Sequence, residues 1–517
     1  MPSPFSYSDI IAVSTTGSNT ADPLIHGSRW ENSSITYSFP DNNSRWSADP
    51  FTGYGPGEEP WSQAYASITS SNQSDFIAAL NQWETVANIV FEQVTETDNE
   101  VGDIRIAYTD VLGFDDAEAW AYLPGRGTWG GDIWINQTGQ SAQREWTAGT
   151  FSFLTILHEI GHAIGLTHPF ENPAFPIENN TMSSTIMSYS ALPGDQNSFF
   201  DYYPTTPMPL DISVIQHIYG ANINYHIGND IISYSDDNTF HETIWDSSGI
   251  DTISYTGNQP AYIQLGEGLG SFIGNAVNAI NSAESIPVPN IWIAYDTVIE
   301  NASGGQSDDE LYGNQYSNTL SGHEGNDILM GMAGNDTLLG GEGIDTAWFD
   351  GLLHDYTLSK TDEGYAIVHQ ASNEERDVLI NVERLQFEDS GLALDIEGHA
   401  GQIARLLGVI FGADAVNNRD FIRLGLSAID SDISDEQLAS LALNAAGIQD
   451  DDTLVTSLWH NLLGYNPSSD EKLPYLELLN SDQLSTSELT LMAANTSTNA
   501  ENINLVGLVE TGIEYVV

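Results

Sequence analysis

Hydrophobic and polar positions along the chain change their period several times, and each change marks a different kind of element. In "SDFIAALNQWETVAN" (74–88), Phe76, Leu80 and Trp83 recur at helical spacing, which predicts an amphipathic helix. Ser74 is placed to cap it, with Asp75 in its first turn. The runs "IVFEQV" (89–94), "DIRIAYT" (103–109), "AWAYLP" (119–124) and "GGDIWIN" (130–136) are strand-like, and their alternation predicts a sheet with one face packed on helices. Residues 151–164 are apolar at most positions and predict a second helix. Helix, several strands, then helix is the order of an α+β domain, ending near residue 225. Residues 1–28 are polar and read as an irregular leader or pro-segment.

Between 304 and 348 the period becomes nine: "GGQSDDELY", "GNQYSNTLS", "GHEGNDILM", "GMAGNDTLL", "GGEGIDTAW". Each unit offers a six-residue glycine-rich loop and a short apolar strand, the pattern of a parallel β-roll. The sixth loop positions are Asp309, Asn318, Asp327, Asp336 and Asp345. Two units make one turn, so Asp309, Asp327 and Asp345 stack on one side while Asn318 faces Asp336 on the other. Hard oxygen donors in such stacks predict calcium, two ions on the first side and a weaker site on the second. The strands cover a small interior of leucine and isoleucine, too little to fold against carboxylate repulsion without cations. The roll is assigned to 226–349, a small β-strand module to 350–396, and a helical domain to 397–495, where "QIARLLGVIF" and "SLWHNLLG" are amphipathic. The tail, 496–517, reads as irregular again.

Charge and composition narrow what such an assembly can do. Twelve Lys plus Arg stand against 73 Asp plus Glu, a formal net charge of −61. Such a chain is repelled by nucleic acid and anionic membranes, so neither is expected as a partner. Cysteine is absent, which excludes disulfides, thiolate zinc sites and a cysteine nucleophile. The opening "MPSPFSYSDIIAVSTTG" has neither a basic region nor a long apolar run, so no conventional signal peptide is read there. No stretch of about 18 apolar residues occurs to insert in a membrane.

The densest chemistry lies in "HEIGHAIGLTH" (158–168), which holds three of the chain's 12 histidines. On a helix His158 and His162 project from one face and can share one zinc ion, with Glu159 between them able to reach a water on it. A third ligand six residues later requires a sharp turn. Gly165 tolerates the positive φ of such a turn, and Pro169 stops the helix from resuming, so His168 returns to the metal. The intervals close a three-nitrogen site with positions left for water and substrate.

"HEIGHAIGLTHP" resembles the zinc signature of the metzincin endopeptidases, and specifically the serralysins. Astacins carry an acidic residue after the third histidine and have disulfides; here there is Pro169 and no cysteine. "STIMSYS" (184–190) is similar to the family's Met-turn, although matrixins have proline where this chain has Ser188. "PLDISVIQHIYGAN" (209–222), "ITYSFPD" and "QWETVANIVFEQV" also resemble serralysin segments. The resemblance implies a metzincin catalytic domain over 29–225, with Met187 as the apolar floor of the site. It also implies that Tyr189 is a further zinc ligand that can instead hydrogen-bond the developing oxyanion, that Glu159 is the general base toward a zinc-activated water, and that Asp246, Asp251 and Glu300 are further calcium ligands.

The activity implied is zinc-dependent hydrolysis of internal peptide bonds in extracellular proteins, with several structural calcium ions and one catalytic zinc. Extended polypeptide is the expected substrate, pairing with "GGDIWIN" as an edge strand. Rolls of this kind accompany one-step ABC-type export with a C-terminal signal, and "EYVV" resembles the serralysin terminus; secretion, with 496–517 as signal, and a monomer are therefore expected. The rival readings are a calcium-binding surface adhesin with an inactive peptidase domain, and a zinc enzyme acting on another bond.

Overall fold

The first long helix begins four residues before the start that its apolar stripe predicts. α1 spans Ser70–Val86, and Thr69 caps it by accepting from Asn72 N at 3.2 Å. Ser74 lies inside the helix with its hydroxyl donating to the Ser70 carbonyl, so it does not cap. The opening turn carries no apolar residue of the stripe, which is why periodicity overlooks it. Phe76, Leu80 and Trp83 are buried as expected.

The computed structural model describes residues 2–110, 117–371, 375–431 and 433–517. The chain divides into two compact units, Met1–Gly257 with Tyr262–Ile299, and Asn258–Ala261 with Glu300–Val517. Among the described residues, no helix is long and apolar enough to cross a membrane.

In the first unit β1 (Ile10–Ala12) pairs antiparallel with β2 (Ser28–Trp30). Between them Pro23 and Leu24 are buried. The polar composition of 1–28 therefore misleads: a few apolar side chains anchor it in the main core. Strands β3 (Ser34–Ser38), β4 (Ala66–Ser67), β5 (Val90–Gln93), β6 (Ile104–Thr109), β7 (Ala119–Ala121) and β8 (Ile133–Asn136) form one sheet. Its order is β5-β3-β6-β8-β7, with β4 also against β6. The pairs β3–β5, β3–β6 and β6–β8 are parallel, while β7 runs antiparallel to β8 and β4 to β6.

One face of this sheet packs on helices as expected, and the other is covered as well, because side chains alternate between two apolar clusters. β6 sends Ile104, Ile106 and Tyr108 into the main core with α1 and α2 (Phe151–Ala163). Ala107 and Trp134 face a second cluster with Tyr54, edged by Trp46, Tyr65, Trp120, Tyr122 and Trp129. The expectation that "GGDIWIN" is an edge strand is corrected. The chain folds back so that β7 pairs with β8 from Ala119↔Ile135 to Ala121↔Ile133, and β7 ends the sheet.

In the second unit the strands Glu310–Asn314, Thr319–Glu324, Ile328–Met332, Thr337–Glu342 and Thr346–Trp348 alternate between two sheets. The first three pair in parallel with the strand 18 residues on, as in Leu311↔Leu329 and Leu320↔Leu338. Leu311, Leu320, Leu329, Leu338 and Ala347 fill the interior. Ile328 points outward, so leucine and alanine, not isoleucine, line this part of the roll. The strands of 350–396 join the same two sheets: Arg376–Ile380 adds to one and Arg384–Gln386 to the other.

Helices α4 (His399–Phe411), α5 (Arg419–Ile429), α6 (Asp435–Ala445), α7 (Asp451–Leu463), α8 (Ser469–Asn480) and α9 (Thr486–Ala494) follow around an aliphatic core. The tail is not irregular. It forms α10 (Ser497–Asn502), α11 (Leu505–Thr511) and a strand, Ile513–Tyr515, paired antiparallel with Gly391–Ala393. Six- and seven-residue helices are shorter than the window in which helical periodicity becomes readable.

Candidate metal centre

α2 is buried on nearly every side, as befits a helix apolar all round, and starts at the Thr150 cap, whose hydroxyl accepts from Phe153 N. Trp83 and Trp30 fix it by donating indole N–H groups to its Leu157 and Ala163 carbonyls, at 3.2 and 2.9 Å. Its last turn presents His158 and His162. Gly165 then takes φ +115°, the left-handed turn expected of it. A Cβ there would come 3.0 Å from the Ser28 carbonyl. The N-terminal segment braces this turn: Gly165 O accepts from His26 N, and Leu24 O accepts from Thr167 N at 2.9 Å.

His158, His162 and His168 are brought together, each offering a nitrogen within 4.8 Å of the others. The Nε2 of His168 stands 3.1 Å from that of His158 and 2.9 Å from that of His162. Each Nδ1 faces an oxygen that can only accept: Ile186 O at 2.7 Å, Leu166 O at 2.8 Å, and the Glu171 carboxylate at 3.1 Å. The Nδ1 atoms are therefore the protonated ones, and three Nε2 lone pairs point into one small space. Tyr189 adds its phenol oxygen, 2.8 Å from His168 Nε2. Converging lone pairs at such distances repel unless a cation lies among them, and this donor set suits zinc. Burial lowers the pKa of all three imidazoles, that of His162 to about 3, which keeps them neutral and able to ligate.

Glu159 is 5% exposed, and its Oε2 has no hydrogen-bond partner. Desolvation raises its pKa to about 8. Met187 is fully buried against the same helix; a Cβ on Gly161 would come 2.8 Å from its Sδ, so glycine lets the turn approach the helix. Asp211, the third residue of α3 (Pro209–Tyr219), ties this turn down. Its carboxylate accepts from Thr185 Oγ1 at 2.5 Å, Ile186 N at 2.7 Å and Met208 N at 2.9 Å.

These supporting groups escape sequence reading. Gly161 is one more helical glycine, and Asp211 is an acidic residue in an apolar helix. Glu171 alone carries a signal, standing three residues after His168 in a Pro169–Glu171 turn.

With this geometry in view, the comparisons are specific. Residues 62–187 match the family described as Matrixin, and 303–338 and 312–347 match the RTX calcium-binding nonapeptide repeat. The chain is 34% identical over 254 residues to Serralysin A of Dickeya chrysanthemi, covering 45% of this chain and 51% of that protein. By these matches the chain is similar to serralysin-type metzincins followed by RTX repeats. The chain is also 31% identical over 328 residues to a serralysin of Photorhabdus sp. (strain Az29), covering 57% and 62%. To the metallopeptidase AprA of Pseudomonas marginalis it is 29% identical over 280 residues, covering 48% and 55%. It thus spans about half the length of the first curated relatives it matches. A serralysin-type module implies catalytic zinc, and RTX repeats imply calcium.

The acidic residues fall into groups. Asp309 N donates to Asp327 Oδ1 at 2.8 Å and Asp327 N to Asp345 Oδ1 at 2.9 Å, so these three form one column. Asn318 N donates to Asp336 Oδ1 at 2.8 Å on the other. Asp327, Asp336 and Asp345 each keep a buried Oδ2 without a partner, which fits a cation between loops. Asn318, by contrast, spends its amide on the Glu300 carbonyl and on Asn314. Asp246 and Asp251 adjoin in the first unit, where the Asp251 charge adds to burial in raising Asp246 to about 7. Two residues outside the predicted ligand set stand with them: His226 Nδ1 lies 3.7 Å from Asp246 and 3.8 Å from Asp230. Glu300 belongs to the second unit.

Proposed function

We propose that the chain is a secreted, calcium-stabilised zinc endopeptidase that cleaves internal bonds of extracellular polypeptides. One observation carries the reading. Three neutral imidazoles aim their Nε2 lone pairs at one point beside a buried carboxylate oxygen that nothing on the protein satisfies. His158, His162 and His168 would hold the zinc, with Tyr189 as an exchangeable fourth group. Bound there, zinc supplies Lewis acidity toward a water and a carbonyl oxygen.

The chain's own groups do the rest. Glu159 Oε2 accepts a proton from the attacking water and returns it to the leaving amine. Its buried setting raises its proton affinity, which suits both halves of that exchange. The Tyr189 hydroxyl donates to the carbonyl oxygen as negative charge builds there. Phe170 stacks on His168 at 5.0 Å and limits water on that side. The sheet ends in β5 and β7, and β7, which packs beside α2, is the strand proposed for an extended substrate to join.

In the calcium part of the reading, Asp309, Asp327, Asp336 and Asp345 serve the roll, and Asp246, Asp251 and Glu300 are further ligands. The proposed layout has a catalytic domain over 29–225, a roll over 226–349 continued by the strands to 396, and helices of unassigned role. Export through a one-step transporter with a C-terminal signal, and a monomeric state, complete it.

The decisive experiment is digestion of casein in calcium and zinc by wild type and Glu159→Gln. Wild-type cleavage should be abolished by o-phenanthroline. The variant should lose about 10²–10⁴-fold in kcat/KM while retaining bound zinc. Cleavage by Glu159→Gln at the wild-type rate would overturn the mechanism.

A further inference from the structure

The sequence repeat stops after the fifth nonapeptide, but the winding of the roll does not. Arg384–Gln386 stands to Thr346–Trp348 (Thr346↔Arg384) as that strand stands to Ile328–Met332 (Ile328↔Thr346). In each case the residue just before the strand is acidic: Asp327, Asp345 and then Glu383. The contact that builds the column is repeated as well. Asp345 N donates to Glu383 Oε2 at 3.0 Å, as Asp327 N does to Asp345 Oδ1 at 2.9 Å.

The backbone of the next loop is also in place. A Cβ built on Gly304 would meet the carbonyl of Gly322, the first glycine one turn on, at 3.0 Å; on Gly340 it would meet the carbonyl of Asn381 at 1.9 Å. Asn381 thus stands where a loop's first glycine would. From Asn381 to Glu383 the loop is shorter than the six residues of a nonapeptide loop. Glutamate, one methylene longer than aspartate, recovers the lost reach.

The charges at this point do not balance. Asp345 is 0% exposed, and its Oδ2 has no hydrogen-bond partner. The neighbouring cation, Arg384, is already engaged by Asp395 at 2.5 Å and Asp430 at 3.1 Å. A buried carboxylate oxygen beside a second carboxylate requires a cation or a proton. We propose that Glu383, with the loop Gly340–Asp345, binds a further calcium ion, so that the column Asp309, Asp327, Asp345 ends outside the nonapeptides. The donors are all oxygens, carboxylate and carbonyl, which favours calcium over zinc. Asp377 makes the matching contact on the opposite column, accepting from Asp336 N at 2.9 Å.

The test counts calcium on the full chain by equilibrium dialysis at pH 7.5, for wild type, Glu383→Gln and Asp327→Asn. Glu383→Gln can still accept from Asp345 N but lacks the charge. It should bind one ion fewer per chain than wild type, with its far-ultraviolet circular dichroism in millimolar calcium unchanged. Wild-type stoichiometry and affinity in Glu383→Gln would overturn the proposal, as when the pair holds a proton instead. If Glu383→Gln does not fold even in calcium, Glu383→Asp decides. Weakening of one ion by about tenfold supports the site, and a titration superimposable on wild type refutes it. Asp327→Asn keeps this separate from the calcium reading of the repeats: ions lost there but not in Glu383→Gln would sink the Glu383 assignment alone.

Discussion

Asp211 touches none of the three histidines, yet it fixes one of them. By accepting from Ile186 N it anchors the residue whose carbonyl, in the following peptide, receives His158 Nδ1–H. Replacing it with alanine strands the Ile186 and Met208 amides in the core. Asp211→Ala is expected to cost about 2–4 kcal/mol of stability and to weaken zinc about tenfold or more. Denaturant unfolding and a competitive zinc titration check both; a stable variant with wild-type zinc affinity would contradict the positioning role. At this scale legibility in the sequence divides sharply. The histidines could be read because their spacing is dictated by a helix, one turn and one ion. Asp211 and Gly161 could not, because their roles arise from residues distant in sequence meeting in the core, which no local period encodes; Glu171, three residues after His168, lay within reach of a local reading.

Among the elements, the segment before β3 contributes more than its composition suggests. Leu24 is fully buried, and its carbonyl holds Thr167 N, next to His168. Leu24→Ala should therefore cost about 2–5 kcal/mol and loosen the turn that returns His168. The expected outcome is a lower melting temperature and weaker zinc binding than in Leu24→Met, measured by calorimetry with and without the metal; identical melting of the two variants would refute it. The same scale shows what alternation can and cannot reveal. It placed β6 and β8 correctly, since the period of two belongs to the strand itself. It could not reveal that the second face is covered by Trp46, Tyr54, Tyr65 and Trp129, because these arrive from loops. Nor could it reveal that β7 folds back over β8, since strand order is set by tertiary pairing. The roll was the most legible element, its repeat being written in the sequence, and its continuation past residue 349 was the least, because a hairpin, Tyr356–Lys360 with Tyr365–His369, interrupts the register.

At the scale of the whole molecule, a net charge of −61 makes cations and protons alternative stabilisers of the roll. Burial raises Asp327 and Asp336 to about 7 and Asp345 to about 6. These values lie above the ordinary carboxyl value of about 4. Their contribution without calcium is therefore fully present below about pH 4 and lost as pH climbs through 6 to 7. In calcium-free buffer the roll should melt at a higher temperature at pH 5 than at pH 8. In millimolar calcium, which requires ionised carboxylates, the order should reverse; melts followed by circular dichroism check both, and pH-independent melting without calcium would contradict the argument. One further consequence follows from the strand Ile513–Tyr515 beside Gly391–Ala393. A chain emerging in order from a ribosome or a channel holds this sheet open until its closing residues arrive. The second unit is thus latched by residues far along the chain from the strand they pair with, and a change at Ile513 would act on that latch before it acted on anything else.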